Sequence, residues 1–209
     1  MAASKKVVRG AALVKKAIEA SSGKLESPEP VDASILKKLR LPNEEKLPAG
    51  LKAFLAHDGA SLGWSFDDEE PEFEPMPLDE LVAQELGDDA VPAFGEAIEL
   101  LTEDCIPIES EGEAKSFLYV GTPDEAGEYP VITLEHGDTA KVHGFVPFDV
   151  WIAQRYGAVP AALPEEYAAI AQSLAVSNAD GRASFDSEHR DITVDKDDDE
   201  DEEEDGDED

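Results

Sequence analysis

Apolar positions recur at helical spacing over the first part of the chain, shorten to alternating runs in the middle, and vanish near the C-terminus. Val7, Ala11, Val14 and Ile18 fall at i, i+4, i+7 and i+11, with Lys5, Lys6, Arg9, Lys15 and Lys16 around them, which predicts a basic amphipathic helix over Lys5–Ala20. Such a helix can dock on a partner, a membrane surface or an acidic body, and its narrow apolar face favours docking on the chain itself. Ser21–Pro30, with Ser, Gly and Pro, reads as a linker. Ile35, Leu36 and Leu39 predict a short helix that ends before Pro42. In Leu47–Gly59, Pro48 suits a first helical turn, Leu47, Leu51, Phe54 and Leu55 share a face, and Gly59 supplies a stop. Leu62–Phe66 reads as a short strand, and the acidic, proline-bearing Asp67–Pro77 as a loop. Leu78–Leu86 predicts a helix with Leu78, Leu81, Val82 and Leu86 inward, and Phe94, Ile98 and Leu101 predict further helical turns.

From Cys105 the period changes. Cys105–Glu109, Ser116–Val120, Tyr129–Leu134 and Val142–Val146 are short, rich in β-branched and aromatic residues, and separated by Gly, Pro and Asp turns. They predict consecutive antiparallel strands. Pro147 then opens a helix with Phe148, Trp151, Ile152 and Tyr156 on one face, and Pro164–Val176 predicts another with Tyr167, Ile170, Ala171 and Leu174 inward. Helices, a run of strands, then helices again is an α+β order, not an alternating α/β one. Three regions follow: a basic N-terminal helix and linker (1–30), an α+β domain with a helical extension (31–177), and a polar region with an acidic tail and no core of its own (178–209).

Charge changes the picture more than length does. The 209 residues carry a formal net charge of −33, unevenly spread. Residues 1–41 hold nine Lys and Arg against four acids, residues 42–194 hold seven against 33, and residues 195–209 hold one against thirteen. Polyanions of this strength repel nucleic acid and anionic membranes, and they draw in basic proteins by electrostatic steering. A solubilising role is the plainer alternative. A single cysteine excludes an intrachain disulfide, and no apolar run reaches the ~20 residues of a membrane span. Without a secretory signal pattern, the expected location is cytoplasmic.

Little else in the sequence points to catalysis or metal binding. His57, His136, His143 and His189 are scattered and lack ligand spacing, so no metal or cofactor is expected. Cys105 opens an apolar strand, where a lone cysteine usually behaves as a small hydrophobe; the sequence leaves open a pairing with His136 or His143. No nucleophile elbow, zinc-protease helix or phosphate-cradling glycine loop is present.

Three pieces between Leu41 and Gly157 resemble the SUKH superfamily, which includes bacterial immunity proteins and a fungal cell-wall assembly regulator. They are Leu47-Pro48-x-x-Leu51-x-x-Phe54-Leu55-x-x-Asp58-Gly59; Ile106-Pro107-Ile108 with Gly112, Phe117–Val120 and Gly127-Glu-Tyr129-Pro-Val131; and Phe145-Val-Pro-Phe148-Asp-Val-Trp151-Ile152. The resemblance implies an α+β domain with a curved mixed sheet of about four to six strands against helices, no catalytic residues, and neutralisation of a toxin, often a nuclease or deaminase. The turn Ser110–Lys115 and the acidic stretch Asp67–Pro77 depart from the family's pattern. The expected function is non-enzymatic binding of a basic protein partner. An acidic regulatory scaffold for several basic clients is the second reading. Charge and loop position nominate Asp67, Asp68, Glu69, Glu70, Glu72, Glu74, Glu109, Glu111 and Glu113 as contact residues.

Overall fold

The computed structural model describes residues 7–21, 28–86, 104–108, 115–135, 141–178, 183–185 and 192–194. Helix α1 spans Ala11–Ser21, α2 Ala33–Lys38, α3 Ala49–Leu55 and α4 Leu78–Leu86. Pro48 stands at the N-cap of α3, where no backbone donor is missed. Leu51, Phe54 and Leu55 of α3 are fully buried. α1 packs against α3 and against a later helix, α5 (Phe148–Arg155), and its Leu13, Val14 and Ala17 belong to the same apolar cluster as Phe54 and Phe148. The N-terminal helix thus docks on its own chain. Its buried positions are Leu13, Val14, Ala17 and Ser21, whereas Val7 and Ile18 are only partly covered.

Five strands form one antiparallel sheet in chain order: β1 (Met76–Pro77), β2 (Asp104–Ile108), β3 (Lys115–Tyr119), β4 (Pro130–Glu135) and β5 (Lys141–Pro147). The fold is therefore α+β, and among the described residues every strand pairing of this sheet is antiparallel. Strand alternation divides the buried side chains between two faces. Ile106, Ile108, Leu118, Val120, Val131 and Val146 join the cluster built by α1, α3 and α5. Cys105, Phe117, Tyr119, Ile132 and Phe145 are buried on the other face, toward which α6 (Glu165–Asn178) contributes Ala171, Leu174 and Ala175. Val131 pairs with Val146 and Ile132 with Gly144, so Phe145 is the extra residue of a β-bulge. Its left-handed backbone (φ 63°) sets the ring 5.6 Å from that of Tyr119.

Two segments differ from the sequence expectation. Leu62–Phe66 is not a strand: Ala60–Leu62 is a 3-10 turn closed by Gly63 in the left-handed region (φ 76°), and Trp64 and Phe66 pack their rings on Phe73. Ring packing replaced ladder pairing there. The region after residue 177 carries a hairpin, β6 (Ala183–Phe185) with β7 (Ile192–Val194), where polarity alone suggested none. Those strands are three residues each. The turns expected around Phe94, Ile98 and Leu101 lie outside the described residues.

Candidate functional site

Two groups of carboxylates stand out, and they are built in opposite ways. The first is the acidic loop and the aromatic groove beside it. Asp67 organises the loop: its Oδ1 accepts the backbone N–H of Glu69 at 2.7 Å and of Glu70 at 3.3 Å. These two bonds hold the Asp67 carboxyl below its ordinary range, helped by the charge of Lys38. Lys38 Nζ donates to the carbonyls of Asp68 and Glu69, at 2.8 and 3.2 Å, and so ties α2 to the loop through the backbone. The side chains of Asp68, Glu69, Glu70, Glu72 and Glu74 remain exposed. Among the described residues, no Lys or Arg side chain forms an ion pair with any carboxylate of this loop.

Beside the loop, Trp64 and Phe66 each meet Phe73 edge to face, with ring centroids 5.2 and 5.3 Å apart. Trp64 Nε1 donates to the carbonyl of Pro107 at 2.5 Å. Among the described residues β1 pairs with β2 only at Asp104 and Cys105, which leaves Pro107 on an edge, where its missing N–H and its occupied carbonyl both discourage strand addition. Gly63, Trp64, Phe66, Phe73, Ile106 and Pro107 line a groove of about 160 Å³, with Glu72 and Glu74 on its wall. The structure thus brings Glu72 and Glu74 to an apolar groove and leaves Asp67, Asp68, Glu69 and Glu70 on the loop next to it. Glu109, Glu111 and Glu113 lie outside the described residues.

The second group is sealed. Pro123-Asp124-Glu125-Ala126-Gly127-Glu128 turns tightly because Asp124 Oδ1 accepts the N–H of Ala126 (2.8 Å) and of Glu128 (3.0 Å). Asp124 Oδ2 is left to meet Arg9 Nη2. Asp149, in the first turn of α5, takes Arg9 as a fork, Nε at 2.8 Å and Nη2 at 3.0 Å. It also accepts the N–H of Gly10 at 2.5 Å and of Val150 at 2.9 Å. Burial works against the Arg9 charge, but the bonds and charges of Asp149 and Asp124 outweigh it and raise the guanidinium above its ordinary value.

Glu128 completes this group. Its Oε1 accepts the N–H of Gly50 at 2.6 Å, one of the donors that the first turn of α3 leaves unpaired. Its Oε2 is buried without a hydrogen-bond partner. Burial first, then the charge of Asp149, push the Glu128 carboxyl up to about 8. Position 50 favours glycine, because a Cβ there would lie 2.8 Å from both Glu128 oxygens and 3.0 Å from Asp149 Cβ. Tyr167 of α6 donates its hydroxyl to the carbonyl of Val8 at 3.2 Å and closes the site on that side. Glu128 and Asp149 are fully inaccessible, so neither reaches a molecule in solution.

Sequence reasoning did not find this cluster. Arg9 reads as one cation in a basic helix, and the three acids fall in two separate stretches, Asp124 and Glu128 in one turn and Asp149 in a later helix. The one available signal was the turn pattern Pro123-Asp124-x-x-Gly127, which marks a tight loop but says nothing of Arg9. β3 and β4 lie between the strands that carry Cys105 and His143, which sets those two strands about 14 Å apart at ordinary strand spacing. His136 lies outside the described residues.

No protein-family model and no curated protein matches this sequence. Among solved structures, the chain is similar to an uncharacterized protein from Salmonella enterica subsp. enterica serovar typhimurium str. 14028s. The two are 19% identical with a TM-score of 0.52, over 82% of this chain and 90% of the other. At that identity the likeness concerns the fold alone, and it supports the α+β architecture. Among the described residues, no helix is long and apolar enough to cross a membrane.

Proposed function

We propose that this chain is a non-catalytic binding protein of the SUKH type that holds a basic protein partner on its acidic, aromatic-lined face. The observation that carries the reading is the groove of Trp64, Phe66 and Phe73 with Glu72 and Glu74 on its wall. A groove of about 160 Å³ suits one long side chain. An arginine or lysine laid in it would rest its stem on the rings and turn its charge to the carboxylates. The unpaired acids of Asp67–Glu70 beside it would steer such a partner in. The resemblance to SUKH proteins supplies the class of partner, a toxin such as a nuclease or deaminase, and the charge of this chain favours one with a Lys- and Arg-rich surface, which the acidic face would occlude. That reading makes the complex inhibitory and places no chemistry on this chain.

Affinity purification with mass spectrometry, at low and high salt, tests the proposal. The expected result is one basic protein, captured at low salt, whose association slows as salt rises. Glu72→Lys with Glu74→Lys, both exposed, should abolish capture while leaving the fold intact. Deletion of residues 195–209 should leave capture of that one protein in place. Loss of all binding on that deletion would favour the scaffold reading, and a double-lysine variant that still captures the partner would sink the groove as the contact.

A further inference from the structure

We propose that Glu128 gates a seam between the N-terminal arm (Val7–Gly10), the turn 123–128 and the N-terminal ends of α3 and α5: the seam stays shut while Glu128 holds a proton and opens when the proton leaves. The geometry sets three carboxyl groups around one cation. Arg9 comes from the arm, Asp124 from the same turn as Glu128, Asp149 from α5 and the Gly50 N–H from α3. α6 adds Tyr167, whose phenol burial pushes above its ordinary value. Arg9 is already committed to Asp149 and Asp124, and the one hydrogen bond to Glu128 falls on Oε1. A third carboxylate charge, on Glu128, would therefore leave a buried oxygen with no hydrogen-bond donor among the described residues.

Opening relieves this state by admitting water. In the shut state the Glu128 carboxyl sits at about 8, against 4.5 ordinarily. If the open state restores the ordinary value, the open fraction rises up to tenfold per pH unit between those limits and levels off above them. The arm is the natural part to yield. Val8 is exposed, and the apolar anchors Leu13, Val14 and Ala17 begin only after Gly10. The groove of about 670 Å³ lined by Val7, Arg9, Asp124, Ile170 and Leu174 borders the seam and would widen with it.

Hydrogen exchange of the full chain tests this, read at the amides of Gly10 and Gly50, the donors to Asp149 and Glu128. Their protection factors, corrected for intrinsic rates, should fall roughly tenfold per pH unit from pH 6 to pH 8. They should also stay below those of Leu118 and Val131 in the sheet. Trypsin should cut after Arg9 faster at pH 8 than at pH 6, relative to cutting after the exposed Lys46. Glu128→Gln should remove the pH slope in both readouts. Should that variant fail to fold, Asp124→Asn keeps the turn's acceptor and should move the plateau to lower pH, because it removes one charge that holds the Glu128 proton. Carbon NMR should show the Glu128 carboxyl titrating near pH 8. Titration in the ordinary carboxylate range, a slope that persists in Glu128→Gln, or Gly10 and Gly50 opening only with the sheet would each overturn the proposal.

Discussion

The loop Asp67–Glu74 and the cluster Asp124–Glu128–Asp149 are both acidic, yet the fold treats them differently. In the loop, charge faces water, and only Asp67 is used structurally, as an acceptor for two backbone N–H groups. In the cluster, Glu128 and Asp149 are fully buried around a single guanidinium. Exposed acids cost the fold little and remain available to a partner. Buried acids must be paired or neutral, and this protein does both: Asp149 is paired with Arg9, and Glu128 is held near neutrality.

Removing the cation should separate the two regions most sharply. Arg9→Ala leaves Asp149 buried beside Gly10 and Val150 without its fork, and should lower the unfolding free energy by about 3–5 kcal/mol in urea titration. Gly50→Ala should cost somewhat less, about 1–3 kcal/mol by the same measurement, because the new methyl collides with the Glu128 carboxyl and Asp149.

The pH dependence follows from the direction of the Glu128 shift. A carboxyl raised in the folded state binds its proton more tightly than the unfolded chain does, so its contribution falls as pH rises from about 4.5 to about 8 and is constant above that. The slope should approach about 1.4 kcal/mol per pH unit, and Glu128→Gln should flatten it in thermal melts taken across that range. Glu72→Gln and Glu74→Gln should shift stability by no more than about 0.5 kcal/mol, since both side chains are exposed and unpaired. A larger loss there would mean that the acidic face is built into the fold and is not free for a partner.

Much of the fold was legible because local patterns and burial agree. The spacing of Leu51, Phe54 and Leu55, the Pro48 start and the β-branched runs of β2–β5 each predict what the structure contains. Leu62–Phe66 misled because Trp and Phe raise strand propensity, while their rings here pack on Phe73 seven residues or more away. The face of α1 was legible in part: Val14 is buried, and Val7 and Ile18 pack on the core partly covered. Val7 precedes the helix, and Gly10 starts the true phase, which turns Leu13 and Ala17 inward.

What the sequence by itself determined is the charge, the element order and the α+β class, because these depend on composition and on periods within a few residues. Tertiary structure alone decided which acids meet water. Arg9 and Asp149 are 140 residues apart, and only the docking of α1 on α3 and α5 sets the guanidinium over that carboxylate. The physical reason is that a carboxylate's character is fixed by desolvation and by its nearest charges, and neither can be read from its neighbours along the chain.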